Sequence, residues 1–211
     1  MRHDDISFEA APEEARPGLL DLLQLTDSSF PSGSYAHSFG LEWLNRQDDF
    51  DLETVLRVRL SETLARLELP LARAAHDATD VAELLELDQL MDVLTPVREL
   101  RQASRSIGRS FLRAAVKLSA QGLPAEMSAH AVEHQPIAFG AILRAWSLPL
   151  ADGLSVYALQ SIRQQLSAAQ RLSRVGQSAV QEMLHRLKPA VLTAVDRSLR
   201  VPVGEAGAFT P

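Results

Sequence analysis

The hydrophobic positions of this chain recur at helical spacing rather than in alternation. Leu52, Val55, Leu56, Leu60, Leu64 and Leu67 repeat at intervals of three and four, marking one face of a helix with Asp51 as its N-cap. Pro70 falls inside that pattern and is expected to kink or end the helix near Leu69. Asp80 followed by Glu83 has capping-box spacing and predicts a helix to about Met91. Thr95-Pro96 repeats the start signal, so a helix is expected from Pro96 to about Gln121, stopped by Gly122 and Pro124. Upstream, Leu19–Leu25 reads as a short helix, Ser28–Gly33 as turn chemistry and Tyr35–Asn45 as a second short helix. Downstream, Ala125–Glu133 and Ile137–Trp146 are helical in pattern, with Pro136 between them. Asp152 is expected to cap a helix reaching about Val175, and Gln177–Leu187 and Pro189–Leu199 are the last two. These elements predict an all-α fold, a single irregular bundle of about eight to ten helices over residues 19–200. Residues 1–18 read as a flexible leader and 201–211 as a flexible end.

Composition supports the helical reading. Among 211 residues there are 34 Leu and 29 Ala against 19 Val plus Ile, a balance that favours helices over strands. The net charge of −6 disfavours long-range steering toward nucleic acid. With no Cys, disulfides, cysteine-ligated metal clusters and thiol catalysis are excluded. No apolar run approaches the roughly 18 residues of a membrane span, and the first 18 residues are too acidic for a signal peptide. A soluble cytoplasmic protein is the expectation.

Three groups of residues invite a chemical reading. His130, Glu133 and His134 fit H-x-x-E-H, in which two His one turn apart bind zinc and the Glu acts as base. A zinc-dependent hydrolase is the alternative this pattern offers, although Pro136 follows closely and no third ligand identifies itself. Arg101, Arg105, Arg109, Arg113 and Lys117 fall at steps of four, with Arg98 before them. Such steps rotate by about 40° each, so the cations wrap around the helix. A solvated face, a protein-binding face and a nucleic-acid track compete for this ladder. Asp27, Ser28, Ser32, Ser34, His37 and Ser38 hold the residue types of a Ser-His-Asp triad. Their closeness in sequence favours local capping and turn bonds instead. Neither a phosphate-binding G-x-x-x-x-G-K-[ST] nor a G-x-G-x-x-G motif is present. Residue chemistry alone ends at a helical interaction module.

Residues 22–42, Leu-Leu-Gln-Leu-Thr-Asp-Ser-Ser-Phe-Pro-Ser-Gly-Ser-Tyr-Ala-His-Ser-Phe-Gly-Leu-Glu, carry a denser signal. They resemble the opening signature of the urease accessory protein family UreF, approximately L-L-Q-L-x-D-x-x-F-P-x-G-x-[YF]-x-H-S-x-G-L-E. Three further blocks agree in order: Arg98-Glu99-Leu100-Arg101 with Ser104, Gly108 and Arg109; His134-x-Pro136 with Gly140; and Arg171-Leu172 with Gly176, Gln177 and Gln181. The chain departs from the family at Ser173-Arg174-Val175, where many members have V-P-[LF]. It also ends at Thr210-Pro211, where members usually continue into a tail finishing near R-L-F-x-S.

The resemblance implies a non-enzymatic, cytoplasmic chaperone of nickel-dependent urease maturation, all-helical and usually a homodimer. It implies binding to UreD (UreH in some organisms), recruitment of the GTPase UreG and modulation of its GTP hydrolysis on apo-urease. Nickel is then handled by the complex, with no cofactor held tightly, no metal site assignable here, and no nucleic-acid or membrane partner. Tyr35, His37, Ser38 and Glu42, the exposed side of Arg98, Arg101 and Arg105, and Gln177 are the expected partner contacts, Arg and Tyr being favoured interface anchors.

Overall fold

A computed structural model of the chain describes residues 17–33, 51–118, 122–130, 132–172 and 175–207. The helix expected over Tyr35–Asn45 lies outside them. Helix α1 (Pro17–Leu25) precedes a turn at 26–33, and α2 (Leu52–Val58) opens where the Asp51 carboxylate accepts the Glu53 N–H at 3.1 Å. A π-helical segment, Arg59–Glu68, leads without a break into α3 (Leu69–Asp77). Helix α4 (Val81–Leu94) is capped by Asp80, which accepts the Glu83 N–H at 3.0 Å; Glu83 in return accepts the Thr79 N–H at 2.7 Å. The expected capping box is thus closed one residue early, and the helix runs three residues beyond Met91. Then follow α5 (Arg98–Leu118), α6 (Leu123–Ala129), α7 (Gln135–Ala145), α8 (Leu150–Arg171) and α9 (Gln177–Ser198). The described residues form an all-α bundle, as the leucine and alanine content predicts.

The prolines account for the main differences from expectation. Pro70 does not end its helix. It stands in the first turn of α3, where the π-helical winding gives way to α, and nearby Arg66 O accepts the Gly207 N–H at 3.0 Å. Pro136 sits in the first turn of α7, where a missing N–H costs nothing. Pro189 lies inside α9, which is one helix of 22 residues rather than two. It faces solvent, the side on which a helix bends open most easily and water can reach the freed carbonyl. Helix α8 opens after Pro149, with Asp152 in its first turn rather than at its cap, and ends at Arg171 instead of Val175. Residues 201–207, expected as a loose end, carry a 3-10 turn at Val203–Glu205 and are strapped to α3. The Arg73 guanidinium donates to Leu199 O at 3.3 Å and to Val201 O at 2.6 Å.

The π-helical register has a visible signature. Arg59 and Glu68, nine residues apart, form a largely buried ion pair at 3.0 Å. Nine steps of an α-helix make about 2.5 turns and would place the pair on opposite faces. The wider i→i+5 turn, with about 4.4 residues, makes roughly two turns and brings them together. Glu68 also accepts the Tyr157 hydroxyl at 2.8 Å, and Arg59 donates to Ser161 Oγ at 3.2 and 3.3 Å. Burial, reinforced by the Glu68 charge, pushes the Tyr157 hydroxyl well above the ordinary tyrosine range, so it stays a donor.

Helix α7 is the centre of the bundle. Its residues Pro136 to Leu143 are all buried, the behaviour of a helix that is apolar all round. Gly140 lets it meet α3 backbone to backbone: an added Cβ would collide with the Ala72 carbonyl oxygen and lie 2.8 Å from its carbon. A file of rings, Phe30–Phe111–Phe139–Tyr157, with centroids 5.4, 5.6 and 5.1 Å apart, ties the turn after α1 to α5, α7 and α8. Phe30 of the signature segment is therefore a packing residue.

Candidate functional site

Helix α5 meets α4 and the connector 132–134 across a polar cluster with a buried centre. Sequence spacing prepares it: Asp88 and Asp92 lie one turn apart on α4, as do Arg101 and Arg105, and Ser104 and Gly108, on α5. Gly108 admits the connector, since an added Cβ would strike the Glu133 carbonyl and lie 2.5 Å from Gln135 N. His134, 0 % exposed, occupies the N-cap position of α7 and turns its ring onto α4 and α5, with Nδ1 3.0 Å from Ser104 Oγ and Nε2 3.0 Å from Asp92 Oδ1. The Gln135 N–H also donates to Ser104 Oγ at 3.3 Å. Arg105 Nε also lies 3.5 Å from Nε2, so Asp92, Arg105 and His134 meet at one point. Asp92 also takes a direct hydrogen bond from Arg105 and faces Arg101 Nε at 3.8 Å.

One turn earlier on α4, Asp88 accepts the Glu133 and His134 backbone N–H groups on one oxygen, at 3.0 and 2.8 Å. Burial holds its carboxyl above the usual range of 3.8, against the pull of those amides and of the Arg105 guanidinium. A raised native value means that this group's contribution to stability is complete below pH 3.8 and is lost as pH rises through the native titration. Asp88→Asn keeps an oxygen acceptor for both amides but has no proton to lose. Its stability relative to the parent is therefore expected to improve as pH rises through that range. Urea denaturation of both proteins between pH 4 and pH 7 checks this, and a pH-independent difference would refute it.

The cluster overturns the zinc-hydrolase pattern. His130, Glu133 and His134 do not share a helix, because α6 ends at Ala129 and Glu133 belongs to the connector. His130 Nδ1 bonds Glu126 O at 2.8 Å, and Glu133 Oε1 pairs with Arg109 at 2.7 Å. Both ring nitrogens of His134 are engaged as above. Among the described residues no group of three or more His, Asp or Glu side chains is placed to hold a metal ion.

The described part of the signature segment is a turn. Asp27 accepts the Ser29 N–H at 2.7 Å and the Ser29 hydroxyl, and these bonds hold its carboxyl below the usual range. Ser34, Tyr35, His37, Ser38 and Glu42 lie outside the described residues. Arg98 is exposed at the start of α5, and Gln177 is exposed at the start of α9. Arg101 and Arg105 are partly exposed but turned onto Asp92; Arg101 also donates to Thr95 O at 2.8 Å. They brace the α4–α5 corner. The sequence reading missed Asp88 and Asp92, whose signal was two acids one turn apart on a largely apolar helix.

The described residues thus form an all-helical bundle in which a buried histidine, two acidic residues and a row of arginines staple one corner. The UreF family model matches residues 47–188. The urease accessory protein UreF of Xanthobacter autotrophicus is 36 % identical over 187 residues, covering 84 % of this chain and 77 % of that one. That of Azoarcus sp. is 33 % identical over 204 residues, covering 92 % and 87 %, and that of Arthrobacter sp. 30 % over 201 residues, covering 91 % and 88 %. The chain belongs to the UreF family of urease accessory proteins. No described helix is long and apolar enough to cross a membrane.

Proposed function

We propose that this chain is a non-catalytic scaffold of nickel-dependent urease maturation. It bridges UreD (UreH) and the GTPase UreG on apo-urease, in the cytoplasm, as a homodimer, and modulates the timing of GTP hydrolysis. Nickel passes through the assembled complex rather than residing on this chain as a cofactor. The observation that supports this reading is family membership over most of the chain, with relatives that carry the urease accessory name aligned across 77–88 % of their own lengths. A scaffold acts by binding one conformation of a partner better than another, which is how docking alone can gate a partner's hydrolysis. Arg98 and Gln177, both exposed, are proposed contacts, together with Tyr35, His37, Ser38 and Glu42. Arg101 and Arg105 contribute by holding the corner beside them.

Size-exclusion chromatography with light scattering tests the proposal, on this chain with cognate UreD and then UreG, GTP and magnesium. Co-elution as a ternary complex, with a GTPase rate of UreG that differs from that of UreG alone, is the expected result. Failure to co-elute with either partner overturns it.

A further inference from the structure

The outward side of α5 carries a charge opposite to that of the chain as a whole. After Glu99 this helix contains no further acidic residue, while Arg101, Arg105, Arg109, Arg113 and Lys117 follow. Gln102, Ser106, Arg109, Arg113 and Lys117 fall within about 80° of one another around the axis. All of these except Ser106 carry N–H donors, and Ser106 adds a hydroxyl. Arg113 and Lys117 are exposed and have no carboxylate partner among the described residues. The net charge of the chain is −6, so this face is a local inversion rather than a reflection of composition.

The cations at the head of this row are held before anything binds. Arg105 is fixed on Asp92, Arg109 on Glu133 at 2.7 Å, and Arg113 Nε donates to Arg109 O at 3.3 Å. A shallow cleft of about 260 Å³ opens between them, lined by Gln102, Arg105, Ser106, Arg109, Arg113 and Glu133. Glu133 shows the geometry that this face accepts, a single carboxylate seated against a guanidinium. Past Arg109 the fold supplies no second one among the described residues. The free cations repeat at one helical turn, about 6 Å, which is the spacing of carboxylates at i and i+4 on another helix.

We propose that this face of α5 docks an acidic helix of a partner protein, whose carboxylates pair with Arg113 and Lys117 and extend the row that Glu133 begins. A planar guanidinium such as that of Arg113 matches a carboxylate in two-pronged fashion, and the neighbouring Arg105 and Arg109 are already held in place. A carboxylate-bearing helix fits better than nucleic acid, because the remaining surface of this acidic chain repels a polyanion that extends past the stripe. The inference rests on the scaffold reading only for which macromolecule supplies the helix.

The test has two arms. In the first, fluorescence anisotropy follows the full chain binding a labelled helical peptide of about 18 residues with Glu at i, i+4 spacing. Its Gln counterpart and a single-stranded DNA of equal charge are run beside it. The Glu peptide is expected to bind in a salt-sensitive manner. Binding should weaken about tenfold in the exposed double variant Arg113→Glu, Lys117→Glu, with an unchanged melting temperature. No binding of the Glu peptide, equal binding of the Gln peptide, binding indifferent to the double substitution, or tighter binding of DNA each overturns the proposal. In the second arm the double variant replaces the parent in the reconstitution with UreD and UreG, where it is expected to lose a partner that the parent retains. Undiminished assembly by the double variant counts against the proposal. A positive peptide arm with no assembly by the parent overturns the scaffold reading alone.

Discussion

Gly140→Ala is expected to lower stability by at least about 3 kcal/mol, more than most single substitutions do. Alanine is the better helix former by roughly 1 kcal/mol, so helix propensity alone predicts the opposite sign. Geometry reverses it. The new methyl group would overlap the Ala72 carbonyl oxygen, lie 2.8 Å from its carbon and meet the Ala75 Cβ at 3.0 Å. Two of these neighbours are backbone atoms of α3 and the third is a side chain with no rotamer to change, so relief requires the helices to part. Their separation would loosen α7, whose core face holds Ile137, Ile142 and Leu143. For a chain of this length the loss corresponds to a fall in melting temperature of roughly 6–12 °C. Gly153→Ala is the control. The atoms nearest its methyl group would all belong to the Leu143 side chain, which can shift without parting two backbones, so a smaller loss is expected. Thermal denaturation of both variants decides the point, and equal losses would contradict the backbone-contact account.

His134→Ala is expected to cost about 3–5 kcal/mol. The substitution empties the space of a fully buried imidazole and removes one polar partner each from Ser104 and Asp92. The backbone amides on Asp88 survive it, as do the bonds from the arginines to Asp92, so the connector should remain attached. His134→Gln, whose amide can reach one of the two partners, should recover part of the loss. Urea midpoints of the two variants give the comparison. A loss below about 1 kcal/mol for the alanine variant would show that the cluster is not a staple of the fold.

The all-helical class was legible because leucine spacing reports one buried stripe per helix, and caps such as Asp51 and Asp80 act locally. What escaped was set by contacts between distant segments. Pro70 reads as a stop until the change of winding at Glu68–Leu69 places it in the first turn of α3. Pro189 reads as a boundary until its exposure is known. The H-x-x-E-H spacing implies convergence only if all five residues share a helix, and the end of α6 at Ala129 removes that condition. The arginine ladder was visible as a repeat. Its division into Arg101 and Arg105, which serve Asp92, and Arg113 and Lys117, which face outward, depends on where α4 and the connector lie.

The ten residues Arg59–Glu68 also carry a lesson in sequence bookkeeping. Seven steps of an α-helix make about two turns, as nine steps do in the wider register. A relative lacking two residues here could therefore run straight through in α-helical form. It would still present an arginine and a glutamate on one face, with the flanking helices entering at nearly the same angle. In such a relative the two-residue deletion would be a change of winding rather than a lost loop.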